Sequence, residues 1–443
     1  MKKKKRTKQF RSTCRPIASP LALLLVLGLL LDIVGGQSAR ADNHAEENHP
    51  SAEACALAGR WLDPGTGKAL DARHLLSRMS KKAVVLLGES HTMNEDHLWQ
   101  AQTLSGLLAY QPNLAVGFEM FPRSVQTVLN AWAKGSLSEH AFLKNVGWNN
   151  VWGYDSDFYM SLFNIVRQNR LPMIAINVER TLVSRVGAEG WAAIPPTERE
   201  GVTDPSPAAK AYRQTLAKVY QMERLHSAPA AEKSDPDEGA AEQQSKEKVS
   251  LKAVMESDGF SRFVDAQLTW DRAMAEALAN ARTDNPKALV VGVVGRGHIE
   301  NRYGIPHQLD DLGIKDVAVL LPVEIGDACE SMSAGVADAI FLVDKKIETE
   351  HPPEKPKLGV QIKAVDNGLR VIKVLDDSIA QTATLSVGDI IVKAAGRQLA
   401  HVSDLIEIIQ RHAPGTWLPL DILRGDQKLE IIAKFPQIPE NLP

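Results

Sequence analysis

Two short motifs, about 200 residues apart, each end an apolar run, and they constrain the fold more than any other feature of the chain. Ala83-Val84-Val85-Leu86-Leu87 leads into Gly88-Glu89-Ser90-His91, and the run 288–294 leads into Gly295-Arg296-Gly297-His298. Each run reads as a buried strand that stops at a glycine and then presents a histidine. Continuous apolar strands belong to parallel sheets covered on both faces, and ligands of such sheets bind beyond the carboxyl ends of the strands. His91 and His298 are therefore expected at adjacent strand ends, with Glu89 and Glu119 facing the same crevice.

Three more apolar stretches, 114–118, 173–176 and 316–321, read as strands, the last closing the domain. Helical patterns separate them. Asn94 serves as N-cap for a helix through Tyr110, and Ser257 opens a long helix with Phe260, Phe263, Val264, Leu268, Trp270, Met274 and Leu278 on its apolar side. This alternation predicts an α/β domain over residues 55–343, a mainly parallel sheet with helices on both faces. Inside it, residues 229–250 are charged and nearly devoid of large apolar side chains, so a disordered insertion is expected there.

Residues 344–356, with Pro352, Pro353 and Pro356, read as a stiff linker. A small mixed β-rich domain follows over 357–435. Its short strands are expected at 359–362, 369–374, 390–394, 418–423 and 428–433, with one helix at 402–412.

The formal charge of −3 conceals an asymmetry: residues 1–41 carry nine Lys or Arg against Asp32 alone, which leaves −11 on the rest. An acidic body argues against nucleic acid as a partner. The basic start, an apolar stretch of 11 residues (21–31) and Ala39-Arg40-Ala41 together form a signal-peptide pattern. That stretch is short against the ~20 residues of a spanning helix. A periplasmic or secreted protein is expected, membrane-associated only if the leader stays uncleaved. Residues 42–54 are polar and expected to be disordered. Beyond the leader only Cys55 and Cys329 remain, bracketing the first domain, and in an oxidising compartment they are expected to form a disulfide.

The polar residues after the strands are His91, His97, Glu89, Glu119, Glu179, Arg180, Arg296 and His298. Imidazole and carboxylate suit a divalent metal ion, and the lack of cysteine ligands excludes a structural zinc knot. Glu119 could complete a two-histidine, one-carboxylate set, or could instead pair with Arg180. His97, six residues past His91, shares no helical face with it, so only a loop could bring the two together.

Val85 to His91, Gly117-Phe118-Glu119-Met120-Phe121, and Gly295 to His298 with Tyr303-Gly304-Ile305-Pro306 resemble the haem-binding uptake and Tiki-like superfamily, in particular its ChaN group. Trp148, Trp152-Gly153-Tyr154-Asp155, Asn177 to Arg180 and Gln267 to Asp271 extend the resemblance over residues 55–322. It implies a haem- or iron-binding protein, with Tyr303 or Tyr154 as axial ligand and Trp148, Trp152, Phe158 and Tyr159 either walling a porphyrin or forming core. Tiki-like and erythromycin-esterase-like relatives imply the alternative of a metal-dependent hydrolase. There His91, Glu119 and His298 would hold the metal, Glu89 would act as base, and His97, Glu179, Arg180 and Arg296 would stand behind them. ChaN-like proteins are often lipoproteins, whereas Cys14 precedes the apolar core of this leader, where no lipid acceptor sits.

The second domain, with Leu358-Gly359-Val360 and Val387-Gly388-Asp389-Ile390-Ile391 in the right order of elements, resembles a PDZ domain of the bacterial protease-associated type. The resemblance implies that Leu358, Gly359 and Val360 bind the C-terminus of a peptide or protein beside the 402–412 helix. A chain with an inactive first domain and a working PDZ adaptor is the remaining reading.

Overall fold

Alternate side chains of the strand Val84–Glu89 enter two different cores, which is why the whole run is apolar. Val85 and Leu87 join Trp99, Leu104, Phe118 and Phe163 on one face of the sheet. Val84 and Leu86 join Met274, Leu278, Ile305 and Leu309 on the other. The computed structural model describes residues 57–227, 250–326, 332–345, 356–410 and 412–436. The leader, the 42–54 segment, Cys55, Cys329, the 229–250 insertion except Ser250, and most of the 344–356 linker lie outside the described residues.

The chain divides into two compact units at Lys346/Ile347. The first holds β1 (Trp61–Leu62), β2 (Ala69–Leu70), β3 (Val84–Glu89), β4 (Leu114–Pro122), β5 (Met173–Asn177), β6 (Leu289–Gly295), β7 (Val317–Glu324) and β8 (Ala339–Val343). Their order is β2-β1-β8-β7-β3-β6-β4-β5. The six strands from β8 to β5 run parallel, and only β1 and β2 are antiparallel. β7 does not close the domain as its sequence suggested. β8 follows it and pairs with both β7 and β1.

Helices cover both faces. The Asp258–Asp284 helix is capped by the Ser257 hydroxyl, which accepts from the Phe260 amide. Residues on several of its sides are buried because it lies between the sheet and the Lys210–Ser227 helix. Asn94 is the first residue of its helix rather than the cap, a position held by Met93 with no side-chain bond. Among the described residues no helix is long and apolar enough to cross a membrane.

The second unit contains β9 (Val360–Val365), β10 (Gly368–Val374), β11 (Ile390–Ala394), β12 (Arg397–Gln398), β13 (Trp417–Arg424) and β14 (Gln427–Lys434). The main path is β14-β13-β11-β10-β9, antiparallel throughout, with β9 at an edge. The Val402–Gln410 helix packs Leu405, Ile408 and Ile409 into a core with Leu358, Leu369, Ile391 and Leu420.

Candidate functional site

Parallel pairing puts the two glycine-histidine motifs side by side. β3 and β6 are neighbours with Glu89 opposite Gly295, and β4 flanks β6 with Phe118 opposite Val293. Glu89, His91, Glu119 and His298 are therefore delivered to one end of the sheet, and all four are buried.

Glu89 is the hub on the β3 side. Its Oε1 meets His91 Nδ1 at 2.7 Å and accepts from the Tyr159 hydroxyl at 2.9 Å. His97 Nδ1 approaches Oε2 to 2.9 Å as an ion-pair contact, off the line of a hydrogen bond, so Oε2 accepts none. Burial alone would raise the Glu89 carboxyl, but the two imidazoles outweigh it and hold the group far below the usual carboxylate range. A carboxylate so stabilised orients its histidines and is poorly matched to base chemistry near neutrality. His97 arrives from the first turns of its helix, with Nε2 at 3.3 Å from the His91 carbonyl. Burial depresses its imidazole, yet Glu89 more than compensates and the net shift is upward. Beside it, Asp96 accepts from the Ser90 amide at 2.8 Å, and burial pushes its carboxyl up to about 7.

His298 has a different partner. Its Nδ1 lies 2.6 Å from Asp271 Oδ1, while Asp271 Oδ2 accepts from the Tyr212 hydroxyl at 2.9 Å. Glu119 stands 3.6 Å from His298 Nε2 and accepts from the Gly295 amide at 2.5 Å. Burial works against the imidazolium, but Glu119 and Asp271 together raise it to about 9. Gly304 makes this packing feasible: it has φ +43°, and a Cβ there would fall on the His298 carbonyl and the Asp271 carboxylate. Asp271 was not singled out as a site residue from the sequence, although the Gln267–Asp271 motif contains it.

The remaining candidates separate. Tyr154, half-buried, sets its ring 5.2 Å from His91 and 5.5 Å from Trp152. Burial, with Glu119 and Glu89 nearby, raises its phenol. Tyr303 belongs elsewhere, its ring 5.5 Å from that of Tyr212 in a separate apolar cluster. Arg180 donates to the Trp152 carbonyl at 3.1 Å and makes no ion pair with Glu119 among the described residues. Arg296 pairs with Glu300 at 2.7 Å, and Glu179 accepts from the Ser124 hydroxyl. Of the aromatic group, Trp148 and Tyr159 are core, packed on Phe163, while Phe158 is only half-buried.

Among the described residues, no three His, Cys, Asp or Glu side chains converge to hold a metal ion. The Nδ1 of each motif histidine faces its own carboxylate, and Glu119 is engaged by a backbone amide. A pocket of ≈ 170 Å³ opens beyond β4 and β5, lined by Glu119, Trp152, Asn177, Glu179, Arg180 and Trp270 among others. A larger groove of ≈ 530 Å³ lies at the opposite ends of these strands, by Leu114, Met173 and Ala288, away from the histidines.

The family model described as haem-binding uptake, Tiki superfamily, ChaN matches residues 75–309, and the chain belongs to that family. A PDZ-domain model matches residues 356–434. Among solved structures the chain is similar to ChaN of Campylobacter jejuni, described as binding haem cofacially. The TM-score is 0.47 and the identity 18%, over 64% of this chain and 96% of that one. The HtrA3 PDZ domain bound to a phage-derived ligand is 29% identical over 18% of this chain and 84% of that one, with a TM-score of 0.17. The HtrA-type protease AlgW, with a decapeptide, is 24% identical over 19% of this chain and 30% of that one, with a TM-score of 0.18. No curated protein matches the chain.

Proposed function

We propose that this is an exported protein that binds haem at the crevice beyond β3, β6 and β4 and captures peptide C-termini along β9. The observation that carries the haem reading is the position of Tyr154 in a chain of this family. Of the two tyrosines the motifs offered, it alone stands against His91 and Trp152, and Tyr303 is packed on Tyr212.

The residues fit the group. A phenol oxygen is an established axial donor to haem iron, and bound ferric haem would supply Lewis acidity and one-electron chemistry there. Tyr154 keeps its proton in the free protein, since burial and two nearby carboxylates disfavour the phenolate. Glu89, held by His91, His97 and Tyr159, keeps the crevice floor rigid. The pocket beside Trp152, ≈ 170 Å³, is smaller than a porphyrin and is lined by neither His91 nor Tyr154, so it could take only part of the ligand. Haemin titration of the purified mature protein should give a saturable Soret change. No change at any ratio would end this reading.

For the PDZ domain, support comes from the free edge of β9 and the adjoining Val402–Gln410 helix. A peptide adding there as a strand satisfies the edge backbone groups, and exposed Ile406 offers apolar contact. Export rests on the leader pattern, and the Cys55–Cys329 disulfide on the compartment that leader implies.

A further inference from the structure

Arg180 is the one cation among the described residues lining the pocket between Trp152 and Trp270. Two carboxylates line it as well, and both are engaged elsewhere. Glu119 accepts from the Gly295 amide and faces the His298 imidazole, while Glu179 accepts from Ser124. Arg180 is half-buried, forms no ion pair among the described residues, and gives one hydrogen bond, from Nη2 to the Trp152 carbonyl at 3.1 Å. A guanidinium carries five N–H donors in a planar fork matched to carboxylate. A half-buried guanidinium with no carboxylate in ion-pair contact among the described residues, in a pocket it shares with two indoles, is complementary to a planar apolar ligand with an acidic substituent.

We propose that this pocket is a carboxylate subsite, in which Arg180 pairs with a pendant carboxylate while Trp152 and Trp270 cover the adjoining apolar edge of the ligand. The inference rests on the haem reading insofar as the ligand is a porphyrin, whose propionates supply the carboxylate. It is separate from the axial position, because Arg180 acts on the ligand's periphery and Tyr154 on its metal. The subsite also accounts for a pocket too small for a macrocycle: it receives an edge.

The test uses the full mature chain and four probes: protoporphyrin IX, its dimethyl ester, haemin, and haemin dimethyl ester. Tryptophan fluorescence quenching reads the metal-free pair and the Soret band reads the iron pair. The wild type should bind each acid at least tenfold more tightly than its ester. Arg180→Met should weaken the acids by about 10–100-fold, the range of a charge-assisted hydrogen bond, and leave the metal-free ester unchanged. Arg180→Lys should fall between. Equal binding of acid and ester by the wild type would overturn the subsite. So would equal losses on acid and ester in Arg180→Met, the mark of a role confined to holding the Trp152 carbonyl. Discrimination between the metal-free probes without any Soret response would retain the subsite and remove the axial assignment. A Soret response without discrimination would do the reverse, and a chain that binds no probe would overturn both.

Discussion

His298 Nδ1 lies 2.6 Å from Asp271 Oδ1, and the second oxygen of that carboxylate is held by Tyr212 at 2.9 Å. A histidine from a strand end is thereby clamped by a residue in the middle of a helix 27 residues long, the longest among the described residues, so the sheet and its covering layer meet at the site.

This clamp predicts a pH dependence. The folded imidazolium is raised to about 9, above its unfolded value, so its contribution is complete below about pH 6.5 and is lost as pH rises through about 9. The contribution is on the order of 3 kcal/mol. Asp271→Asn should remove part of this near pH 6, since Glu119 remains beside the imidazolium, and the gap to the wild type should narrow by pH 10. Denaturant melts at the two pH values check this, and a gap independent of pH would refute it.

Tyr154→Phe should weaken haemin binding at least tenfold and remove the tyrosinate character of the spectrum, because the Tyr154 ring stands against His91 whereas the Tyr159 hydroxyl is bound to Glu89. Tyr303→Phe should leave both unchanged, since that ring packs on Tyr212. An unaltered spectrum for Tyr154→Phe would transfer the ligand role to another residue.

Gly359 has φ +82°, and a Cβ there would collide with the Ser378 side chain. Gly359→Val should cost about 1–3 kcal/mol of backbone strain and abolish capture of free C-termini. Gly425→Ala, where φ is +59° and a Cβ meets nothing, should retain capture. A peptide library with free and amidated C-termini reads the outcome. Equal binding of amidated peptides would show that the loop does not hold a carboxylate.

Cys55 and Cys329 should be joined in protein taken from the exported fraction. Peptide mass mapping under non-reducing conditions will detect the linked pair, and two alkylatable thiols would contradict the prediction.

Much of the parallel sheet was legible because a strand buried on both faces needs an unbroken apolar run, and β3, β4, β6 and β7 have one. β1 and β2 were not legible: two residues each carry no periodicity, and they exist through pairing with β8 and with one another. The PDZ strands were read within a few residues, since hairpin turns punctuate them. The short Ile379–Thr382 helix and β12 went unread for lack of length.

The sequence by itself determined which residues leave the strand ends, because chain direction and apolar periodicity are local properties. Glu89, His91, Glu119 and His298 follow from that alone. Only the tertiary structure decided the partners: His97 turns back onto Glu89, Asp271 takes His298, Arg180 leaves Glu119 for the Trp152 carbonyl, and Tyr154 rather than Tyr303 stands in the crevice. Each of these depends on how separate elements pack. The side chain that meets a buried charge is selected by the distance and desolvation that packing imposes, and no spacing along the chain encodes either.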